Sequence, residues 1–196
     1  SFAARPGQTV AFIGATGSGK STIIRLASRM FDVTDGEVLL DGHNVKEYDP
    51  SDLAALFGPV PQKSVLFSGT IRSNLLYGNP DATDEQLWEA LRIAQAEDFV
   101  RELPDGLEAH VAQGGTNFSG GQKQRLCIAR AVVRRPYIYS FDDSFSALDM
   151  ATDKKVRDAL APITRQATQL LVAQRASSIR HADIIIVIDN GRIVGQ

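Results

Sequence analysis

The chain has 196 residues, 43% hydrophobic and 22% charged, the make-up of a globular protein with room for one core and a smaller lobe. A formal net charge of −2 and a pI near 5.9 advertise no basic surface, so no nucleic-acid partner is expected. The single cysteine, Cys127 in the apolar stretch LCIA, excludes an internal disulfide and suits packing, and no run approaches the ~20 apolar residues of a membrane span.

Apolar runs separated by turn signals predict an α/β protein. The chain starts at Ser1 without a methionine and runs through RPGQTVAFIG straight into a strand, which suggests a piece of a longer polypeptide. TVAFI (9–13) is a buried strand pattern, and a helix is expected after Lys20. EVLLDG (37–42) and GPVPQ (58–62) predict shorter strands. In TDEQLWEALRIAQ (83–95), Leu87, Leu91 and Ala94 recur at helical spacing, and Trp88 beside them is expected in the core. Further helices are expected after Ser119 and around 152–162, with Arg134 and Arg135 suited to a helix C-terminus. YIYSF (137–141), TQLLVA (168–173), DIIIVI (183–188) and GRIVGQ (191–196) complete the strands. His43, His110 and His181 share no metal-ligand spacing and belong on the surface.

Directly after the first strand comes GATGSGKST, comprising Gly14, Ala15, Thr16, Gly17, Ser18, Gly19, Lys20, Ser21 and Thr22. It fits G-x-x-x-x-G-K-[ST] in the strand-to-helix context that pattern requires. Glycines let backbone N–H groups wrap a phosphate, the helix start adds partial positive charge, and Lys20 can reach the β- and γ-phosphates. Ser21 is placed to ligate Mg²⁺, with Asp142 at the end of a second buried strand holding it through water from the opposite side. A nucleoside triphosphate site is the expectation. Downstream, Ser119 and Gln122 form a capping-box pattern that needs no ligand. Gly120 and Gly121, poor helix formers in a first turn, are not explained by a cap and suit a helix N-terminus bared to an anion.

SGGQKQR, lying between the cradle and the carboxylate-ended strand, resembles the signature of ATP-binding cassette (ABC) ATPases. The likeness extends over nearly the whole chain. VPQ (60–62) resembles the glutamine loop, VAQGGTN (111–117) and LFSGTIRSNLLYGNP (66–80) resemble stretches typical of exporters, and SALD (146–149) resembles the loop where two cassettes touch. The resemblance implies a single ABC domain over 1–196. Its P-loop core, with a mostly parallel central sheet and part of an antiparallel β lobe, would take 1–62 and 137–196. A mainly helical subdomain carrying the signature would take 63–136. It implies ATP and Mg²⁺ as cofactors, with Gln62 sensing metal and water and coupling to transmembrane helices. It further implies head-to-tail pairing with a second cassette. Each ATP would then lie between one cradle and the other chain's Ser119, Gly120, Gly121 and Gln122. The expected place is the cytoplasmic face of the membrane, within an integral transporter. Family members stack adenine on an aromatic residue roughly two dozen positions before the cradle. Only 13 residues precede Gly14, so that residue is expected outside this sequence.

Two positions depart from the family. After the metal-binding Asp142 the family has a water-polarising glutamate, whereas this chain has Asp143. The shorter side chain withdraws the carboxylate by about 1.5 Å, and ~1 Å of misplacement can cost about a hundredfold in rate. After the strand at 168–173 the family places a histidine on the γ-phosphate, whereas this chain has Gln174, which cannot become a cation. Both changes weaken hydrolysis and neither prevents binding. The signature at Ser119–Gly121 is intact, so the expected assembly is a heterodimeric exporter whose partner carries the Glu and His. A fully active homodimeric exporter, an importer ATPase and a non-transport ABC switch are the alternatives. What is transported is not written in this sequence.

Overall fold

Residues 1–174 and 179–196 are described by the computed structural model. They divide into two compact units, Ser1–Pro59 with Pro136–Asp143 and Gln166–Gln196, and Val60–Arg135 with Ser144–Arg165.

The first unit opens with β1 (Thr9–Ile13), whose middle residues are buried, and α1 (Lys20–Ala27). The strand expected at 37–42 shortens to β2 (Leu39–Leu40), paired with β3 (His43–Asn44) across Asp41 and Gly42. Both turn residues have positive φ, as a tight hairpin turn demands. An unexpected helix, α2 (Pro50–Leu56), follows, started by the Asp49 cap and proline in its first turn, and leads into β4 (Phe57–Val60).

The second unit contributes β5 (Gly69–Thr70), α3 (Ile71–Leu76), α4 (Asp84–Ile93), α5 (Glu97–Glu102), β6 (His110–Val111) and α6 (Gly120–Arg134). Its core forms around Ile71, Leu75, Leu87, Leu91, Leu126 and Ile128, each fully enclosed. Trp88 departs from its expectation: it is only partly buried and carries the Arg101 guanidinium 4.1 Å above its ring. The adjacent positions Leu87 and Ala90 already fill the inward face of α4, so the indole is turned to the flank. Cys127 is buried, and burial pushes its thiol pKa up. All three histidines are exposed.

The chain then supplies β7 (Ile138–Asp142), α7 (Met150–Thr164), β8 (Thr168–Val172), β9 (Ile184–Asp189) and β10 (Arg192–Gly195). Six strands form the main sheet in the order β10-β9-β1-β8-β7-β4. β9, β1, β8 and β7 run parallel, with Val10 opposite both Leu170 and Ile184, and Asp142 opposite Val172. β10 turns back antiparallel through Asn190-Gly191, both at positive φ. Val10, Phe12, Ile24, Leu53, Ile138, Leu170, Val172 and Ile186 make the core of this unit. Parallel packing brings the carboxyl ends of β1, β8 and β7 to one edge, the usual place for a ligand in an open α/β sheet.

Candidate nucleotide site

The loop leaving β1 is shaped by its contact with the end of β9. At Gly14, φ is +153° and an added Cβ would stand 2.0 Å from the Ile188 carbonyl oxygen, so only glycine fits. The Gly191 N–H donates to the Ser18 carbonyl at 2.9 Å, tying the loop to the β9–β10 hairpin. The first turn of α1 has no side-chain cap and no acidic residue, so no side chain there competes with an anion.

Lys20 is 7% exposed and folds back under the loop. Its ammonium donates to the Gly14 carbonyl at 2.9 Å and the Ala15 carbonyl at 2.6 Å, with Ser18 Oγ at 3.4 Å. A buried cation facing neutral carbonyls would gain from a phosphate oxygen, which accepts a stronger, charge-assisted bond. The cradle therefore fits a phosphate by its own chemistry.

Ser21 Oγ donates to Asp142 Oδ1 at 2.6 Å, joining the start of α1 to the end of β7. A hydroxyl and a carboxylate are hard oxygen donors of the kind Mg²⁺ takes. Among the described residues no group of three His, Cys, Asp or Glu could cage a metal. A cation with few protein ligands, completed by phosphate and water, fits this donor set.

Asp143 follows with φ +48°, a left-handed conformation that turns the chain out of β7. Its N–H donates to the Val172 carbonyl at 2.9 Å, and its Oδ2 accepts from Gln174 Nε2 at 2.8 Å. Asp143 and Gln174 are thus bonded to each other across the ends of β7 and β8.

In the second unit, α6 begins with a complete capping box. Ser119 Oγ accepts from the Gln122 N–H at 3.2 Å, and Gln122 Oε1 accepts from the Ser119 N–H at 2.9 Å. A Cβ on Gly120 would meet open space, while one on Gly121 would lie 3.5 Å from the Ala147 carbonyl. The first turn holds no acidic residue. Asp149 caps α7, accepting from the Ala151 and Thr152 N–H groups at 3.1 and 3.0 Å and from the Thr152 hydroxyl at 2.7 Å. The Thr152 hydroxyl, then these backbone donors, hold its carboxyl below the ordinary range. Gln62 is exposed on the segment that follows β4.

The first unit gathers Gly14–Thr22, Asp142, Asp143 and Gln174; the second carries Gln62 and Ser119–Gln122. Sequence reasoning missed Ser64, Asn74, Gln124 and Arg130, which organise the segment behind Gln62. The available signal was a polar Gln124 on the face of α6 that also carries buried Cys127 and Ala131.

A glycine cradle closed over a lysine at the edge of a parallel sheet belongs to P-loop nucleotide-binding domains. The family is more specific: the pattern of the family described as ABC transporter matches residues 1–146. The chain belongs to that family as a nucleotide-binding domain homologous to ABC exporter ATP-binding proteins. Proteins of Mycobacterium bovis and Mycobacterium tuberculosis, named only as ABC transporter ATP-binding proteins, are 56% identical over 100% of this chain and 34% of their own length. A Staphylococcus aureus protein whose name assigns it provisionally to multidrug export, as an ATP-binding/permease protein, is 47% identical over 96% of this chain and 32% of its own. The structure of a bacterial Atm1-family ABC exporter with ATP bound superimposes with a TM-score of 0.94 and 38% identity, over 97% of this chain and 33% of that one. The chain therefore spans about a third of the length of these relatives. The expected α/β fold with a mostly parallel central sheet is the fold found.

Proposed function

We propose that this chain is the ATP-binding motor of an ABC exporter, and that its own cradle binds Mg-ATP but hydrolyses it slowly or not at all. Lys20 and the backbone of the Gly14–Thr22 loop would hold the phosphates, and Ser21 and Asp142 would hold Mg²⁺; Gln62 is the residue we assign to sensing metal and water. Bound Mg²⁺ supplies neutralisation of the charge that builds on the β- and γ-phosphates. Asp143 is the position that orients water, and Gln174 the position that faces the γ-phosphate.

The observation that carries the reading is the 2.8 Å bond from Gln174 Nε2 to Asp143 Oδ2. It engages one of the two oxygens of the carboxylate that would accept a proton from water, and the amide that donates to it cannot ionise or relay one. Aspartate is also too short for the distance a glutamate spans. In contrast, Ser119–Gly121 offers an unobstructed helix start. That pairing of features suits a non-identical partner cassette carrying Glu and His, whose competent site is completed by this chain's signature. Transmembrane domains would engage through the Gln62 loop and the helical unit, placing the chain at the cytoplasmic face of the membrane. Among the described residues no helix is long and apolar enough to cross a membrane.

The test is single-turnover hydrolysis and ATP binding by the natural protein and by Asp143→Glu with Gln174→His. Equal affinity in both, with a rate about a hundredfold higher in the double variant and rising steeply with protein concentration, is the expected result. Equal rates would favour the second reading, a fully active homodimeric ATPase in which Asp143 suffices.

A further inference from the structure

One wall of the cradle is the β9–β10 hairpin, and both belong to the first unit. The hairpin turns through Asn190 and Gly191, with φ of +47° and +76°, between the paired residues Asp189 and Arg192. The Gly191 N–H donates to the Ser18 carbonyl at 2.9 Å, and a Cβ on Gly19 would stand 3.7 Å from Gly191 Cα. Just before the turn, the Ile188 carbonyl closes on Gly14. The loop that carries Lys20 thus rests on this hairpin at both of its ends.

Asn190-Gly191 is also a chemically labile pair. Asparagine is one of the thermolabile residues, and a following glycine leaves the next backbone nitrogen unshielded by a Cβ. That nitrogen can attack the asparagine side-chain carbonyl carbon, closing a succinimide ring as the side-chain amide nitrogen leaves as ammonia. Water then opens the ring at either of its carbonyls. One opening gives aspartate; the other gives isoaspartate, in which the main chain runs through the side-chain carbon. In sum, asparagine and water become aspartate or isoaspartate and ammonia, with no change of oxidation state. Asn190 and Gly191 are both exposed, and a Cβ on Gly191 would meet nothing within 4 Å, so water and the ring have room. What opposes the reaction is the Ser18 carbonyl. The attacking nitrogen must give up its proton, and that proton is held in the bond to Ser18.

We propose that Asn190 is a site of spontaneous deamidation guarded by the cradle, and that its conversion to isoaspartate loosens the cradle in turn. The inference rests on the reading of Gly14–Thr22 as an ATP site. Nucleotide that fixes the loop keeps the bond between Ser18 and Gly191 closed and the asparagine intact, whereas an empty cradle lets it age. Isoaspartate adds one carbon to the main chain, about 1.5 Å, and a two-residue hairpin turn has no slack for it. Gly191 then leaves Ser18, and the loop loses a wall.

The experiment incubates the full polypeptide that contains this chain, with and without Mg²⁺ and an ATP analogue whose β–γ link cannot be hydrolysed. Peptide mass mapping follows position 190. Isoaspartate should accumulate there without nucleotide, and at least about tenfold more slowly with the analogue at about a hundred times its Kd. Asp41-Gly42 is a turn of the same left-handed kind, and among the described residues its glycine nitrogen makes no bond to the cradle. Its isoaspartate should form at one rate in both conditions. The aged, nucleotide-free protein should bind the analogue about tenfold more weakly than fresh protein. An isoaspartate methyltransferase with S-adenosylmethionine returns isoaspartate to aspartate, removing the inserted carbon but not the new charge, and should restore the affinity. An intact Asn190 after nucleotide-free incubation, equal slowing at Asp41, unchanged affinity after ageing, or a loss that repair leaves in place would each overturn the proposal. No binding of the analogue by fresh protein would instead bring down the ATP-site reading, and the guarding role with it.

Discussion

The cradle and the signature both end in a helix whose first turn holds no acidic residue, yet they are built by different means. The cradle is made by long-range contact: Gly14 against Ile188, Ser18 against Gly191, Ser21 against Asp142. The signature is made locally, by a capping box closed within four residues and by two glycines, one of which faces open space. A cradle that must bury a lysine needs walls from several strands. The start of α6 needs only its own cap and its glycines. Asp143 and Gln174, the two positions expected to weaken hydrolysis, fall on the first kind of construction and are bonded to each other.

The largest test of that difference exchanges glycine for alanine. Gly14→Ala should destabilise the protein by about 3 kcal/mol or more, through overpacking and a backbone conformation alanine resists. Gly120→Ala should change stability by no more than about 1 kcal/mol, on the stabilising side, and under the proposed pairing it should also impair hydrolysis at the second cassette's site. Denaturant midpoints with unchanged slopes check the first pair of values. A tolerated Gly14→Ala would mean the cradle is no more constrained than the signature.

Serine-to-alanine exchange sharpens the contrast. Ser21→Ala should weaken Mg-ATP binding about tenfold, or ~1.4 kcal/mol, and leave metal-free ATP binding nearly unchanged in calorimetry. Ser119→Ala should cost about 1 kcal/mol of stability through the lost cap and leave this chain's ATP affinity as it was.

The smallest effect is in acid. Asp149 has a folded pKa depressed first by the Thr152 hydroxyl and then by backbone N–H groups. A depressed carboxyl contributes stability that is present above its unfolded value of about 3.9 and is lost as pH falls through the folded value beneath it. Asp149→Asn keeps a cap without the charge, so the stability difference from the natural chain should shrink below about pH 4. A constant difference across that range would show that the charge contributes nothing.

Much of the fold was legible because its strands are continuous apolar runs. TVAFI is β1 to the residue, and the patterns at 137–141, 168–173 and 183–188 became β7, β8 and β9 within one residue at each end. The shorter helices were not foreseen. α2, α3 and α5 have seven residues or fewer, too short for an apolar period to stand out, although Asp49-Pro50 and the Thr70–Ser73 cap marked two of their starts. Trp88 was misplaced because helical spacing identifies a face but not which flank residue a neighbouring arginine will cover.

By itself the sequence determined the chemistry on offer: a glycine loop with a lysine, a hydroxyl and two carboxylates, and a capped helix start with bare glycines. These are encoded within a few adjacent residues, where local geometry and hydrogen bonding dictate which side chains are needed. Only the tertiary structure decided that Gly14 is boxed in by Ile188, that Gln174 holds Asp143, and that Gln124 reaches Ser64. Each of those partners comes from a distant part of the chain, and strand order and helix packing, rather than any local pattern, bring them within bonding distance.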